Sequence, residues 1–124
     1  MNNLLFIALG GALGAVSRYL VSNGVHSLLG RGFPYGTLSV NVLGSLLMGF
    51  FYILLLERID LGGHWRPLLL IGFLGAFTTF STFSIETLNL VENGELFRAL
   101  LNIFFSLTIS LMACWTGVIL GRQL

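Results

Sequence analysis

The residues best equipped for chemistry lie close together in the third quarter of the chain. The run from Gly72 to Glu86 carries hydroxyls at Thr78, Thr79, Ser81, Thr82 and Ser84, and Thr87 adds one more just after it. Nearly everything around them is apolar, so these hydroxyls sit where water is scarce. Gly72, Gly75 and the β-branched threonines weaken an α-helix here. Two structures are open. In one, the helix continues and each hydroxyl bonds back to the preceding turn. In the other, the helix breaks and exposes backbone carbonyls and amides. A break at membrane depth is tolerated only where it is enclosed by protein or lines a watery cavity. Interrupted spans of that kind place free backbone groups at ion sites.

Phe80 and Phe83 are three residues apart and share a face on any helical turn. Such a pair is commonly packing. An aromatic ring also has a positive edge, and two edges turned toward a path would stabilise a small anion without trapping it. Asn41 offers a second polar group on a separate apolar segment, in line with Thr37 and Ser45 at intervals of four. Polar groups in lipid are costly and turn toward the interior of a bundle. Asn41 therefore either makes an interhelical hydrogen bond or presents an amide donor to a pore. Asn102, Ser106, Ser110 and Cys114 form a similar column near the C-terminus, with the same two readings.

Gly10, Gly11 and Gly14, with Ala12 and Ala15, make a small-residue face that allows helices to approach closely. Arg18 follows it, either as an interfacial anchor or as a source of positive potential near an anion entrance.

Catalytic constellations are not found. His26 and His64 fall between the apolar segments with no Cys, Asp or Glu at metal-ligand spacing, and no phosphate-binding Gly loop follows a strand. Glu57 and Asp60 share one loop and read as surface charges. Cys114 is the single cysteine, so no intramolecular disulfide and no cysteine metal cluster can form. The expectation is a protein that is not an enzyme. With a net charge of +1, no basic field points to nucleic acid.

The elements that must position these residues follow from composition. Of 124 residues, 56% are hydrophobic and 9% charged. A soluble domain carries roughly 25% charged residues, and a chain this small cannot hide its surface. The solvent is therefore lipid. A span needs about 20 mostly apolar residues. Four segments qualify: Asn3–Asn23, Thr37–Leu56, Pro67–Val91 and Ala99–Gly121. Gly24–Gly36, Glu57–Arg66 and Glu92–Arg98 connect them and hold most of the charge. The first segment lacks a basic n-region, so it is expected to be a retained helix rather than a signal peptide. Residues 1–124 thus form one four-helix transmembrane unit with no expected linker or soluble domain.

All six basic residues are arginine. Arg58, Arg66 and Arg122 fall on one side of a four-span topology. Arg31 and Arg98 fall on the other, joined by Arg18 if its side chain reaches the first loop. The positive-inside rule then selects no orientation. Either a short chain gives an even tally by chance, or the protein inserts both ways and pairs antiparallel.

Three blocks together resemble the Fluc (CrcB-type) family of bacterial fluoride channels. They are Gly10 to Ala15 leading to Arg18-Tyr19, Gly36 to Asn41 continuing through Gly44, and the run Gly75 to Glu86 with Thr79-Phe80-Ser81-Thr82-Phe83-Ser84 intact. The resemblance covers essentially the whole chain. It implies an all-α integral membrane fold of four transmembrane helices with a broken third helix, assembled as an antiparallel, dual-topology homodimer in the bacterial inner membrane. It implies two fluoride pathways per dimer. By position, Phe80 and Phe83 match the family's pore phenylalanines and Asn41 its pore asparagine. Ser81 and Thr82 fall in the matching hydroxyl run and Ser110 in the fourth-helix polar track. The resemblance also implies a structural Na⁺ at the dimer interface, held by the backbone carbonyls of Gly75 and Thr78 from each subunit. The implied function is passive export of toxic fluoride.

The chemistry is compatible. Fluoride is small and strongly hydrated, so a pore must replace its lost water with donors. Hydroxyls, an amide and ring edges do so without a fixed charge. The alternative is a small dual-topology proton-coupled drug exporter. Such a transporter uses a membrane-embedded carboxylate in its first span, and here Glu86, late in the third, is the only candidate. A non-conducting assembly subunit would leave the phenylalanine and hydroxyl run without a role.

Overall fold

The computed structural model describes residues 2–58 and 63–124. The loop carrying Asp60 lies outside the described residues. All four spans form. α1 runs Asn2–Leu29, roughly 42 Å at helical rise. α2 runs Tyr35–Ile53 and continues as a wider π-helical turn, Leu54–Arg58. The third span begins π-helical at Pro67–Leu74, where Pro67 takes the first position and its missing N–H costs nothing. It passes into a single α-turn, α3 (Gly75–Phe77), and resumes as α4 (Phe80–Glu92). α5 runs Leu96–Gln123.

The helices overrun the expected spans at most ends. Ser22, Asn23 and His26 remain helical in α1, and Arg98 lies inside α5. Polar residues end the apolar run but do not end a helix, because a helix leaving hydrocarbon can continue into water. What stops α1 is Gly30, which adopts φ +84° while its N–H bonds to the His26 carbonyl at 2.8 Å. Gly94, at φ +80°, closes α4 with a different pattern, its N–H bonding to the Val91 carbonyl at 3.1 Å and the Glu95 N–H to the Leu90 carbonyl at 2.8 Å.

The third span divides its partners. Its first half packs on α1, and α4 packs on α5. Gly72 is the seat of the first contact, since a Cβ there would stand 2.7 Å from the Ile7 carbonyl. Gly10 and Gly14 face the backbone at Leu68 and Phe73. The small-residue face read in the sequence is thus a backbone-to-backbone seam. α2 and α5 make the other close pair, where a Cβ on Gly117 would meet the Phe50 N–H at 2.8 Å.

Leu55, Leu70 and Leu74 form a buried apolar cluster against Leu47, Met48, Phe51, Leu69 and Phe73. Outside, large apolar side chains including Leu4, Leu13, Leu28, Phe97, Phe104 and Trp115 are all more than half exposed. Such a shell is unsuited to water and suited to lipid. Arg98 Nη1 donates to the Gly32 carbonyl at 2.9 Å, tying the first and third connections together at one end of the bundle. Glu57 and Arg122 approach to 3.9 Å at the other. The ends therefore alternate as a four-span topology requires.

Candidate functional site

The third span breaks at two residues. Thr78 (φ −86°, ψ 159°) and Thr79 (φ −153°, ψ 125°) are both extended, between α3 and α4. The open choice between a continuous helix and a broken one is settled in favour of the break. The local sequence explains where it falls. Thr78 ends the first half by bonding its N–H and its hydroxyl to the Leu74 carbonyl, at 3.2 and 3.0 Å. Thr79 starts the second half as N-cap, its Oγ1 accepting the Thr82 N–H at 3.2 Å.

Backbone groups released at membrane depth need new partners, and two distant side chains supply them. Asn41 Nδ2 donates to the Thr79 carbonyl at 2.9 Å while the Thr79 N–H donates to Asn41 Oδ1 at 2.7 Å. Arg18 Nε donates to the Ala76 carbonyl at 3.0 Å. The Arg18 side chain thus reaches the break rather than the first loop. With Arg18 taken out of the loop tally, the loop arginines stand at three (Arg58, Arg66, Arg122) against two (Arg31, Arg98).

The rearrangement also changes two carbonyls. In a continuous helix the Gly75 carbonyl would accept from the Thr79 N–H, and the Thr78 carbonyl from the Thr82 N–H. Those donors now serve Asn41 Oδ1 and Thr79 Oγ1. Among the described residues, no three His, Cys, Asp or Glu side chains converge.

Beside the break lies an open cavity of about 310 Å³ between α2, α4 and α5. Asn41, Gly44, Ser45 and Met48 line it from α2. Thr78, Thr79, Phe80 and Phe83 line it from the third span, and Ser106, Leu107, Ser110, Leu111 and Cys114 from α5. None of these residues is charged. The Phe80 and Phe83 ring centroids are 5.3 Å apart at 42°. Phe83 is buried, whereas Phe80 is 71% exposed. Ser110 Oγ is buried on this cavity with no hydrogen-bond partner among the described residues. Glu86 Oε1 is likewise buried and unpartnered, away from the cavity lining.

Behind the cavity runs a hydrogen-bonded chain. Ser106 Oγ donates to Asn102 Oδ1 at 3.2 Å, Asn102 Nδ2 to Thr87 Oγ1 at 2.8 Å, and Thr87 Oγ1 to the Phe83 carbonyl at 2.7 Å. Asn102 is 1% exposed. The α5 polar column therefore divides: Ser106, Ser110 and Cys114 face the cavity, and Asn102 fastens α5 to α4.

The cavity gathers Asn41, Phe80, Phe83 and Ser110 from the residues singled out in the sequence. Ser81 and Thr82 are not among its lining. Their hydroxyls cluster on Thr79 Oγ1, at 3.4 and 3.2 Å, in the first turn of α4. Gly75 is exposed and Thr78 half-buried at the break. Sequence reading missed Met48, Leu107 and Leu111 as lining. Met48 follows Asn41 by seven and Leu107 precedes Leu111 by four, so helical spacing from the polar residues would have found them. It also missed the bond from Arg18 to Ala76, which no local pattern signals across 58 residues.

Comparison with known proteins agrees with this architecture. The family model described as CrcB-like protein, camphor resistance (CrcB), matches residues 5–118. A relative from Magnetococcus marinus, named fluoride-specific ion channel FluC, is 51% identical over 119 residues, covering 96% of this chain and 97% of the relative. A Coxiella burnetii protein of the same name is 54% identical over 125 residues, covering 98% of this chain and 99% of its own length. A third, from Methylococcus capsulatus, is 54% identical over all of this chain, which spans 55% of that relative's length.

Proposed function

The chain belongs to the CrcB-like family, and on that premise we propose that it is a fluoride-selective channel of a bacterial plasma membrane, passing fluoride out of the cytoplasm down its gradient. The observation that carries this reading is the cavity beside the break. An uncommitted Ser110 hydroxyl and the Phe80–Phe83 pair meet there, with no charged side chain among the described lining residues. A buried donor without a partner has already lost its water and gains most from an arriving acceptor. Neutral donors and ring edges replace hydration without binding too tightly for release. The N-terminus of α4 adds partial positive charge at the same depth.

The same reading places Asn41, Ser81, Thr82 and Ser110 along the fluoride path. Asn41 has one amide hydrogen beyond its bond to Thr79. Ser81 and exposed Phe80 lie on the outer face of α4, where a second copy would cover them. An inverted homodimer is supported by that apolar exposure and by the near-even arginine balance of the loops. It is further supported by the carbonyls of Gly75 and Thr78, whose helical donors are engaged elsewhere. Two such carbonyls from each of two inverted copies would hold a structural Na⁺, a hard cation that takes oxygen ligands. Bound there, the ion would supply positive charge that offsets anion burial and would join the copies.

Fluoride efflux from liposomes tests the reading, with chloride as control and valinomycin carrying compensating K⁺. Fast fluoride release that requires valinomycin, with little chloride movement, is expected. No release from verified dimer would overturn it and turn attention to proton-coupled transport through Glu86.

A further inference from the structure

We propose that Arg18 is a positioning residue that fixes the geometry of the break in the third span, acting through its Nε–H rather than through its charge. In a continuous helix the Ala76 carbonyl would accept from the Phe80 N–H. Phe80 is instead the first residue of α4, beyond two extended residues. The 3.0 Å bond from Arg18 Nε fills that vacancy. The reach is fixed by the seam beneath it. Gly14, one turn earlier on α1, lies against the Phe73 backbone, one turn before the break. Neither ion pair among the described residues, Glu95–Arg98 or Glu57–Arg122, involves Arg18. Its side-chain hydrogen bond is to backbone alone. The break is therefore held from both sides, by α1 at Ala76 and by α2 at Thr79. Closing it would require the Phe80 N–H to displace Arg18 and the Thr79 N–H to leave Asn41.

Donor and charge can be separated by substitution. Gln places Nε2 the same number of bonds from Cα as Arg Nε, keeping the donor and losing the charge. Lys places a methylene there and carries its ammonium one bond further. Met removes both.

The inference rests on the channel reading only for its flux readout. Wild type, R18Q, R18K and R18M would be placed in lipid nanodiscs and hydrogen exchange followed at the Thr78 and Thr79 amides, which reports local opening. Loss of the bond to the Ala76 carbonyl is expected to raise exchange about tenfold or more in R18M. R18Q should lie nearest wild type and R18K between R18Q and R18M. Fluoride flux from liposomes should follow the same order. Exchange equal in all four proteins would overturn the proposal, as would R18K matching wild type while R18Q matches R18M. Should R18M not be recovered folded, the order of R18Q and R18K decides. A wild type without flux would count against the channel reading, and the exchange order would still decide this one.

Discussion

Asn41 and Thr79 exchange two hydrogen bonds across 38 residues of sequence, so that one side-chain amide does for one extended residue what a neighbouring strand does in a sheet. The pairing explains why Thr79 can be extended in the interior of a span. Its N–H and carbonyl have no water to turn to, and Asn41 presents a donor and an acceptor at peptide spacing.

Asn41 therefore carries structure as well as any role toward an anion. Asn41→Ala leaves two backbone groups unpaired and is expected to cost about 2–4 kcal/mol. Asn41→Asp keeps an acceptor for the Thr79 N–H but sets a second carboxylate oxygen against the Thr79 carbonyl, and should also destabilise. Thermal unfolding of the detergent-solubilised protein measures both. Unchanged unfolding in Asn41→Ala would assign this residue to conduction alone.

Ser110 gives the opposite separation. Its buried hydroxyl has no partner among the described residues, so removing it relieves a desolvated donor. Ser110→Ala should leave stability unchanged or raise it by about 1 kcal/mol, while fluoride flux falls. A variant with full flux would remove Ser110 from the path.

Phe83 is buried against Phe80 and faces the cavity. Phe83→Ile keeps an apolar side chain and removes the ring edge. A ring-edge contribution of about 1 kcal/mol at the barrier corresponds to a roughly fivefold slower flux. Crosslinking should show the same oligomer as wild type. Unaltered flux in that well-folded variant would reduce Phe83 to packing.

The segments were legible in the sequence because lipid imposes one requirement on all four: an apolar run of sufficient length. The break was legible only as an option, since Thr78 and Thr79 have the same composition in either structure. What decides it is tertiary. Asn41 and Arg18 arrive from α2 and α1 with the donors and acceptor that the broken helix needs, and neither shows in the run from Gly72 to Glu86. Boundaries failed for a related reason. The end of α1 lies at Gly30, a position fixed by backbone conformation, and not at Asn23, where the apolar run stops. Column spacing on the fourth span was correct, yet it did not separate Asn102, which faces α4, from Ser110, which faces the cavity.

That separation is the basis of the last expectation. Asn102 links Ser106 to Thr87, and Thr87 passes the chain on to the Phe83 carbonyl. Thr87→Val strands the Asn102 amide in a site with 1% exposure and should cost about 2 kcal/mol. Asn102→Leu is milder, because Thr87 keeps its bond to the Phe83 carbonyl and Ser106 can turn back onto the carbonyl one turn earlier. The double variant removes donor and acceptor together and should be about 1 kcal/mol more stable than the sum of the singles. Thermal unfolding of the four proteins completes the cycle, and liposome flux runs beside it. Coupling with flux retained in Asn102→Leu identifies the chain as the fastening between α4 and α5. Additive stabilities with flux lost in Asn102→Leu would instead move Asn102 into the conducting path.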